Sequence, residues 1–343
     1  MFEAGHTLLL PLAVRVIMSD LPLVTIVTPS YNQAQFLEET ILSVLNQDYP
    51  HIEYLIIDGA STDGSVEIIR KYQDRLAFWV SEPDQGQSHA INKGFLRANG
   101  EILGWLNSDD SYCPGAVRAV VDFFEQHSDV ALMYGRADLV DCDGGRILPI
   151  PWEDFNVPIC IARQRYPIPQ PAAFFRREVT KWVGLLDEGL HYCLDWDYWV
   201  RIALAGLKVS KIPQKLARCR LHLDAKTVKQ LIETQEEMVE WVDKFFSQPL
   251  PPGTAALERQ SRSWALLNLG RHRFYAAQYT GARRAVLRAI IQYPQALLRP
   301  RALSLLALSM LPGAAITLAL RLERFWFGSQ PAAEVRYRAA RET

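Results

Sequence analysis

The chain has 343 residues, of which 49% are hydrophobic and 22% charged, enough for one large domain or two with a substantial core. The formal net charge is −1, but 12 Arg against 3 Glu give +9 over residues 271–343 and leave −10 on residues 1–270. An acidic body with a basic tail argues against general nucleic-acid binding and favours a tail that meets an anionic surface.

The cysteines and histidines do not form a recognisable metal or disulfide pattern. The five Cys are widely spaced without a CxxC pair, and the seven His show no metal-ligand spacing. We therefore expect reduced thiols in a cytoplasmic protein. Residues 1–21 lack the basic start and the cleavage site of a signal peptide, and we expect them to be disordered or an over-extended start.

The first hundred residues alternate between strand and helix patterns. Helical periodicity or a helix-favouring turn follows each of the first three strands. The predicted strands are residues 23–28, 54–57, 78–80 and 102–106. Four alternations with short connections predict an α/β fold with a doubly wound, mostly parallel sheet flanked by helices. The first strand is not followed by GxGxxG, which disfavours a dinucleotide-binding domain.

The middle of the chain predicts a mixed-strand region and one further helix. Strand patterns cover residues 131–134, 138–140, 146–150 and 172–175, and two edge strands are predicted at 208–212 and 216–221. Residues 158–171 carry four Pro and should form a loop over the crevice, where specificity often resides. Residues 194–205 have apolar positions at helical spacing.

From residue 227 onward the pattern is mostly helical, with a helical hairpin predicted at 264–293 around Gly281. Residues 302–320 are uncharged, but Pro312-Gly313 divide the run into pieces too short to span a bilayer. They predict a kinked helical pair that packs on the body or lies in a membrane interface. The predicted divisions are residues 22–248 for the main domain, 254–328 for a helical extension and 329–343 for a flexible tail.

Three predicted strands end in polar residues at the same edge of the sheet. These residues are Tyr31, Asp58 and the pair Asp109-Asp110. In an open α/β sheet, ligands bind outside the carboxyl ends of the strands. Two adjacent carboxylates repel each other, and a cation such as Mg²⁺ or Mn²⁺ shared with substrate phosphates would stabilise them. The alternative is a solvated acidic turn that leads into the next helix.

The motifs at this edge resemble those of the family 2 nucleotide-sugar glycosyltransferases of bacterial type, which have the GT-A fold and invert configuration. The resemblance covers residues 22–224 and is carried by four segments in order. They are residues 27–32 (VTPSYN), 56–64 (IIDGASTDG), 100–110 (GEILGWLNSDD) and 194–201 (LDWDYWVR). The resemblance implies a GT-A-type sheet, with the α-helical C-terminal extension outside the matched region.

The resemblance also implies a nucleotide site and a catalytic base. Pro29, Tyr31, Asp58 and Asp84 would bind the nucleotide sugar, although Asp58 could instead cap its turn and Asp84 could be a solvated loop carboxylate. Asp195 matches the family's base, and its place near a helix start should keep it ionised. The alternative for Asp195 is a helix cap.

The acidic motif and a basic element would hold the metal and the diphosphate. Asp110 is expected to contact the metal directly and Asp109 to lie nearer the ribose, while Asn107 replaces an Asp that is frequent in the family. Arg220 and His222 match an Arg-x-His element that approaches the diphosphate, or they are a solvated basic pair.

The implied activity is inverting, metal-dependent transfer of a sugar from a nucleotide-diphosphate sugar to a hydroxyl of a saccharide or lipid-linked acceptor. It would serve cell-surface polysaccharide or glycoconjugate synthesis in the cytoplasm, with peripheral contact to the inner face of the membrane through the basic C-terminal helices. Two other functions remain open. A sugar-phosphate nucleotidyltransferase should have a Gly-rich basic loop where residues 29–32 stand, and a non-catalytic nucleotide-sugar-binding protein would not need Asp195.

Overall fold

A computed structural model of the chain describes residues 21–298, 300–308 and 310. The predictions for residues 1–20, for Pro312-Gly313 and for the tail 329–343 therefore lie outside the described residues. Within the described part, nine strands form one sheet. Their bounds are β1 Val24–Ser30, β2 Ile52–Asp58, β3 Phe78–Ser81, β4 Ile102–Trp105, β5 Ser111–Tyr112, β6 Val130–Val140, β7 Arg146–Pro149, β8 Ala173–Arg176 and β9 Lys208–Arg220.

Twelve α-helices lie in the same described part. The first seven are α1 Ala34–Leu45, α2 Ser65–Tyr72, α3 Gln87–Arg97, α4 Ala116–Gln126, α5 Val157–Arg163, α6 Val179–Val183 and α7 Leu194–Leu204. The remaining five are α8 Lys226–Lys229, α9 Leu231–Phe246, α10 Glu258–Tyr275, α11 Tyr279–Gln292 and α12 Pro300–Leu308.

The sheet has the strand order β3-β2-β1-β4-β8-β6-β9-β5, and β7 pairs with β6 outside this path. Strands β1 to β4 are parallel to their neighbours within that group, as the strand–helix alternation predicts. Strand β8 is antiparallel to both β4 and β6, whereas β6 and β9 are parallel. The predicted α/β fold is confirmed. The sheet is mixed because β8 runs antiparallel to the strands on either side of it.

Two pairs of predicted short strands are each one continuous strand. Residues 131–134 and 138–140 belong to β6, and the two predicted edge strands belong to β9, which pairs with β6 on one side and β5 on the other. Gly135 interrupts the apolar pattern of β6, yet a Cβ there would lie 2.5 Å from a side-chain carbon of Leu216. The close approach of β9 therefore requires Gly135, the residue at which the sequence pattern predicted a break between two strands.

Both faces of the sheet are covered, and an aromatic stack fixes one of the covering helices. One buried cluster joins the sheet to α3 and α7, and a second joins it to α1 and α4. Trp105 at the end of β4 stacks on Trp199 of α7, with ring centroids 5.2 Å apart and planes at 21°. This contact fixes the helix that carries Asp195 against the strand that leads to Asp109 and Asp110.

The C-terminal helices form the predicted hairpin, with a different turn. Helices α10 and α11 are joined by residues 276–278, where Ala277 has φ of 60°, so Gly281 lies inside α11 and not at the turn. Gly270 lets the two helices approach, since a Cβ there would lie 2.8 Å from Val286 Cγ2. Among the described residues, every helix is too short or too polar to cross a bilayer.

Candidate active site

The loops after β1, β2 and β3 form a small cradle at the carboxyl edge of the sheet. The Tyr31 residue is 63% exposed, and Pro29 is buried within β1 opposite Ile57. A Cβ on Gly59 would lie 2.6 Å from Asp84 Oδ2 and 3.3 Å from Tyr31 Cδ2. The missing Cβ thus lets the Asp84 carboxylate and the Tyr31 ring approach the Gly59 backbone, and an exposed aromatic ring beside a carboxylate suits a flat heterocycle with N–H donors.

Asp58 is fully buried beneath this cradle, and its carboxylate is heavily used within the protein. It accepts hydrogen bonds from the Ser61 N–H at 2.9 Å, the Ser61 hydroxyl at 2.5 Å and the Ser81 hydroxyl at 2.7 Å. The turn-capping interaction considered from the sequence is therefore present. A buried carboxylate with three donors is also a rigid acceptor at the edge of the cradle.

The acidic pair after β4 is held from below by α1. Thr40 donates through its hydroxyl to the backbone oxygens of Ser108 at 3.0 Å and Asp110 at 2.7 Å. The two carboxylates differ in exposure: the Asp110 residue is 3% exposed, whereas the Asp109 side chain is 20% exposed. Asp110 Oδ1 accepts the Arg220 backbone N–H at 2.9 Å, and burial, followed by the charge of Asp109, raises the pKa of Asp110 well above its ordinary value.

Arg220 and His222 reach the acidic pair in different ways. His222 Nε2 lies 2.9 Å from Asp109 Oδ2, while its ring packs on Phe36 with centroids 4.7 Å apart. The Arg220 guanidinium is 2% exposed and donates to Glu39 Oε2 at 2.6 Å and to backbone oxygens of residues 109, 141 and 142. Its donors are directed to partners within the protein, and the expectation that this side chain approaches a diphosphate stays a prediction.

A chain of amide side chains, missed by the sequence analysis, lies beside the acidic pair. Gln87 Nε2 donates to Asn107 Oδ1 at 2.7 Å, and Asn107 Nδ2 donates to Gln170 Oε1 at 3.1 Å. Gln170 then donates to the Trp105 backbone oxygen at 2.9 Å. The sequence feature that could have indicated this chain is Asn107. An amide can hydrogen-bond to further amides, whereas an Asp there would repel the neighbouring carboxylates.

Lys226, also missed from the sequence, brings a cation to this region. Its Nζ donates to Gln87 Oε1 at 3.3 Å, and the carboxylates of Asp84, Asp109 and Glu237 interact electrostatically with it. Lys226 therefore lies within electrostatic range of carboxylates from the cradle, the acidic pair and α9. No sequence pattern marks Lys226, since its carboxylate neighbours come from distant segments.

Asp195 lies in the first turn of α7 and is half-buried. Its Oδ1 accepts the Trp196 N–H at 2.7 Å. Burial raises the pKa of Asp195 to about 6, with a smaller contribution from the charge of Glu237. Desolvation thus outweighs the helix start that was expected to favour the ionised form, although most of the group is still ionised at neutral pH.

The donor set near Asp109 fits a divalent cation of the oxygen-preferring type. Within residues 21–298, 300–308 and 310, His, Cys, Asp and Glu side chains form no cage of three or more metal ligands. Mg²⁺ and Mn²⁺ sites that share substrate phosphates need only one or two carboxylates, with water and phosphate oxygens completing the shell. The exposed Asp109 carboxylate, with Asp110 behind it, meets that requirement.

Comparisons with known proteins agree with this architecture. A family model described as glycosyl transferase family 2 matches residues 25–180. An uncharacterised glycosyltransferase of Mycobacterium tuberculosis is 31% identical over 191 residues, covering 54% of this chain and 71% of the relative. A Bacillus subtilis protein named for teichuronic acid biosynthesis, the glycosyltransferase TuaG, is 36% identical over 110 residues, or 31% of this chain. That match spans 44% of the Bacillus protein's length, less than half of it.

Two solved structures share the fold at low sequence identity. Staphylococcus aureus TarS (residues 1–349, in complex with UDP-GlcNAc) has a TM-score of 0.61 and 16% identity over 84% of this chain and 90% of TarS. The mannosyltransferase PcManGT of Pyrobaculum calidifontis, in complex with GDP-Man and Mn²⁺, has a TM-score of 0.55 and 18% identity over 90% of this chain and 88% of that chain. With the fold, the family model and the relatives in agreement, the chain belongs to glycosyltransferase family 2.

Proposed function

We propose that this glycosyltransferase transfers a sugar, with inversion, from a nucleotide-diphosphate sugar to the hydroxyl of a saccharide or lipid-linked acceptor. The observation that carries the proposal is the convergence at one edge of the sheet of the Tyr31–Asp84 cradle and the acidic pair, with the helix of Asp195 stacked on β4 through Trp105 and Trp199. Along the edge of the sheet, the cradle would bind the nucleotide base, the acidic pair would hold the diphosphate, and the region of Asp195 would receive the acceptor hydroxyl.

The nucleotide would lie in the cradle. Tyr31 would pack on the base, and Asp84 and Asp58 would accept its N–H groups or the ribose hydroxyls, with Pro29 shaping the floor. The TarS complex with UDP-GlcNAc and the PcManGT complex with GDP-Man support a nucleotide-sugar donor without fixing its base.

Asp109 is proposed as the direct ligand of Mg²⁺ or Mn²⁺, with Asp110 as its buried support. This reverses the division expected from the sequence, because Asp109 is the more exposed carboxylate and Asp110 Oδ1 is bound to the Arg220 N–H. When bound, the cation supplies charge that stabilises the leaving diphosphate. His222 orients Asp109, Arg220 holds the loop through its backbone contacts, and Lys226 adds a positive charge that can reach the phosphates.

Asp195 is proposed as the general base. It would take the proton of the acceptor hydroxyl as the hydroxyl oxygen attacks the anomeric carbon from the face opposite the diphosphate. A pKa of about 6 leaves it mostly ionised at pH 7 and makes it a stronger base than an ordinary aspartate. Inversion follows from this single displacement.

The biological setting is proposed to be polysaccharide or glycoconjugate synthesis on the cytoplasmic side of the membrane. The name of TuaG supports that setting. Within the described residues, α11 exposes Arg284, Leu287, Arg288 and Ile291 at positions i, i+3, i+4 and i+7. A helix face with two arginines and two large apolar residues suits the surface of an anionic membrane. In this proposal residues 22–248 catalyse the reaction and the helices after residue 254 bring them to the membrane.

The proposal is tested by screening nucleotide sugars for thermal stabilisation in the presence of Mn²⁺, followed by measuring nucleoside diphosphate release. Binding to the folded state alone should raise the unfolding temperature with one donor or a few. Release of a nucleoside diphosphate from that donor supports a transferase. Formation of nucleoside triphosphate and sugar 1-phosphate from that donor and added pyrophosphate would indicate a nucleotidyltransferase, and binding without any turnover would indicate a non-catalytic binding protein.

A further inference from the structure

Glu237 of α9 is a buried carboxylate with an unusual set of partners. The residue is 9% exposed, and its two oxygens accept three backbone N–H groups, each at 2.7 Å. The donors are His191, Tyr192 and Cys193, the three residues that lead directly into α7. Glu237 therefore binds the turn that ends one residue before the helix carrying Asp195.

The residue before α7 does not cap it through its side chain, since the N-cap residue is Cys193 and makes no capping hydrogen bond. Within the helix Asp195 accepts the N–H of Trp196, whereas the N–H groups bound by Glu237 belong to the turn that precedes the helix. Glu237 accepts the N–H groups of this turn from a position 44 to 46 residues further along the chain. An ionised carboxylate can accept all three bonds, whereas an amide of the same size has one acceptor oxygen and two N–H donors of its own.

A second contact holds α7 against α9 on the other side of Asp195. Trp241 lies one turn after Glu237, and its indole Nε1 donates to Asp197 Oδ1 at 2.9 Å. The Trp241 ring also packs edge-on against Trp196, with centroids 6.1 Å apart. Two segments, residues 191–193 before Asp195 and residues 196–197 after it, are thus fixed by one helix, which limits where the Asp195 carboxylate can point.

We propose that Glu237 is a positioning residue for the transfer reaction, because it fixes the turn that aims Asp195 at the acceptor. The inference rests on the proposed function, in which Asp195 is the base. Helix α9 is itself tied to α10 through an ion pair of Asp243 with Arg262. The helical region after the sheet therefore takes part in organising the site, in addition to any contact that it makes with a membrane.

If Glu237 were only a structural cap, the expected results would differ. Losing such a cap lowers stability but leaves the turnover number of the remaining folded enzyme unchanged. A positioning residue lowers kcat in the folded enzyme, leaves donor binding intact and has no further effect once Asp195 is removed. The pH dependence offers another distinction, and the titratable groups that face this region are Glu237 from α9, Lys226 from α8, Cys193 before α7 and Tyr166 from the loop after α5.

The test compares Glu237→Gln, Asp195→Asn and the double variant in the full chain, with Glu236→Gln as the matched control. Glu236 is the neighbouring residue, and its side chain is 42% exposed in a surface ion pair. Steady-state transfer is measured with the donor found by thermal stabilisation, together with donor affinity and the unfolding temperature. We expect Glu237→Gln to lower kcat on the order of 10- to 100-fold with donor affinity within about two-fold of wild type. Glu236→Gln should stay within about two-fold of wild type for both quantities.

In the Asp195→Asn background, Glu237→Gln should cause little further loss. In the single variant, the acidic limb of the kcat profile should move to lower pH, because a negative charge near Asp195 is gone. A folded Glu237→Gln enzyme with wild-type kcat and an unmoved pH profile would overturn the inference. If that variant does not fold, Glu237→Asp decides by the same assays, since it keeps the charge and withdraws it by one methylene, and wild-type kinetics there would also overturn it. If Asp195→Asn itself keeps the wild-type rate, the proposed function fails, which is a separate outcome.

Discussion

Replacing Asp195 with Asn should increase stability while it removes activity. The folded-state pKa of Asp195 is raised from 3.8 to about 6, so the folded protein binds this proton more tightly than the unfolded chain does. Ionised Asp195 therefore destabilises the fold above about pH 6, and the cost disappears below about pH 4, where both states are protonated. A shift of about two pKa units corresponds to about 3 kcal/mol at neutral pH.

The neutral Asn avoids that cost but loses the favourable interaction of a carboxylate with the helix start, which is about 0.3–1 kcal/mol. The net expectation is a gain of about 2 kcal/mol in the free energy of unfolding near pH 8, or a few degrees in the unfolding midpoint. The gain should shrink to nothing, or reverse slightly, near pH 4. Over the same substitution, transfer should fall on the order of 10²- to 10⁴-fold, or about 3 to 5 kcal/mol of transition-state stabilisation.

The assays are chemical unfolding of both proteins at about pH 8, 6 and 4, and sugar transfer at saturating donor. Donor affinity is the control, because the base faces the acceptor and its loss should leave donor binding unchanged. A variant that is less stable at pH 8 and transfers sugar within a few-fold of wild type would refute the reasoning, and Asp195 would then be a structural residue of α7.

Three further predictions follow from the site and the surface. Asp109→Asn should abolish the dependence of donor binding on Mn²⁺, as followed by thermal stabilisation, and a variant with unchanged metal dependence would contradict the assignment. Lys226→Ala should raise the donor KM about ten-fold or more with a small effect on stability, whereas an equal loss for free nucleoside and for nucleoside diphosphate would argue against a phosphate contact. Full-length protein should sediment with anionic vesicles at low salt, at about 1 kcal/mol per basic residue near the surface, and Arg284→Glu with Arg288→Glu should release it. Protein that stays in the supernatant would rule out the membrane contact.

The strands of the first half and the motifs at their ends could be predicted because they depend on local pattern. The apolar β-branched runs of β1 and β2 and the abrupt change to Tyr31, Asp58 and Asp109 are visible without any tertiary information. The joining of two predicted strands into β6 was not visible, because it depends on Leu216 filling the space beside Gly135. Pattern rules penalise a glycine in a strand and do not include the partner that makes it necessary.

The site residues missed from the sequence share a cause, which is dependence on distant partners. Glu237 binds a turn more than forty residues earlier in the chain. The side chains of Gln170 and Asn107, which form a hydrogen bond, are 63 positions apart. Arg220 was placed at the correct edge of the sheet, but its guanidinium is bound to Glu39, 181 positions away, so its role could not be derived from its motif. The pKa of Asp195 is a further case, since its burial outweighs the local effect of the helix start.

The most direct test of the central claim is the configuration of the sugar at the moment of its release. With the donor identified by thermal stabilisation and water as the acceptor, proton NMR can follow the anomeric signal before the free sugar mutarotates. From an α-linked donor, the account predicts that the β-anomer forms first, that its formation requires the divalent cation, and that it is lost in Asp195→Asn. Initial release of the α-anomer, or an undiminished rate in Asp195→Asn, would contradict inverting transfer with Asp195 as the base.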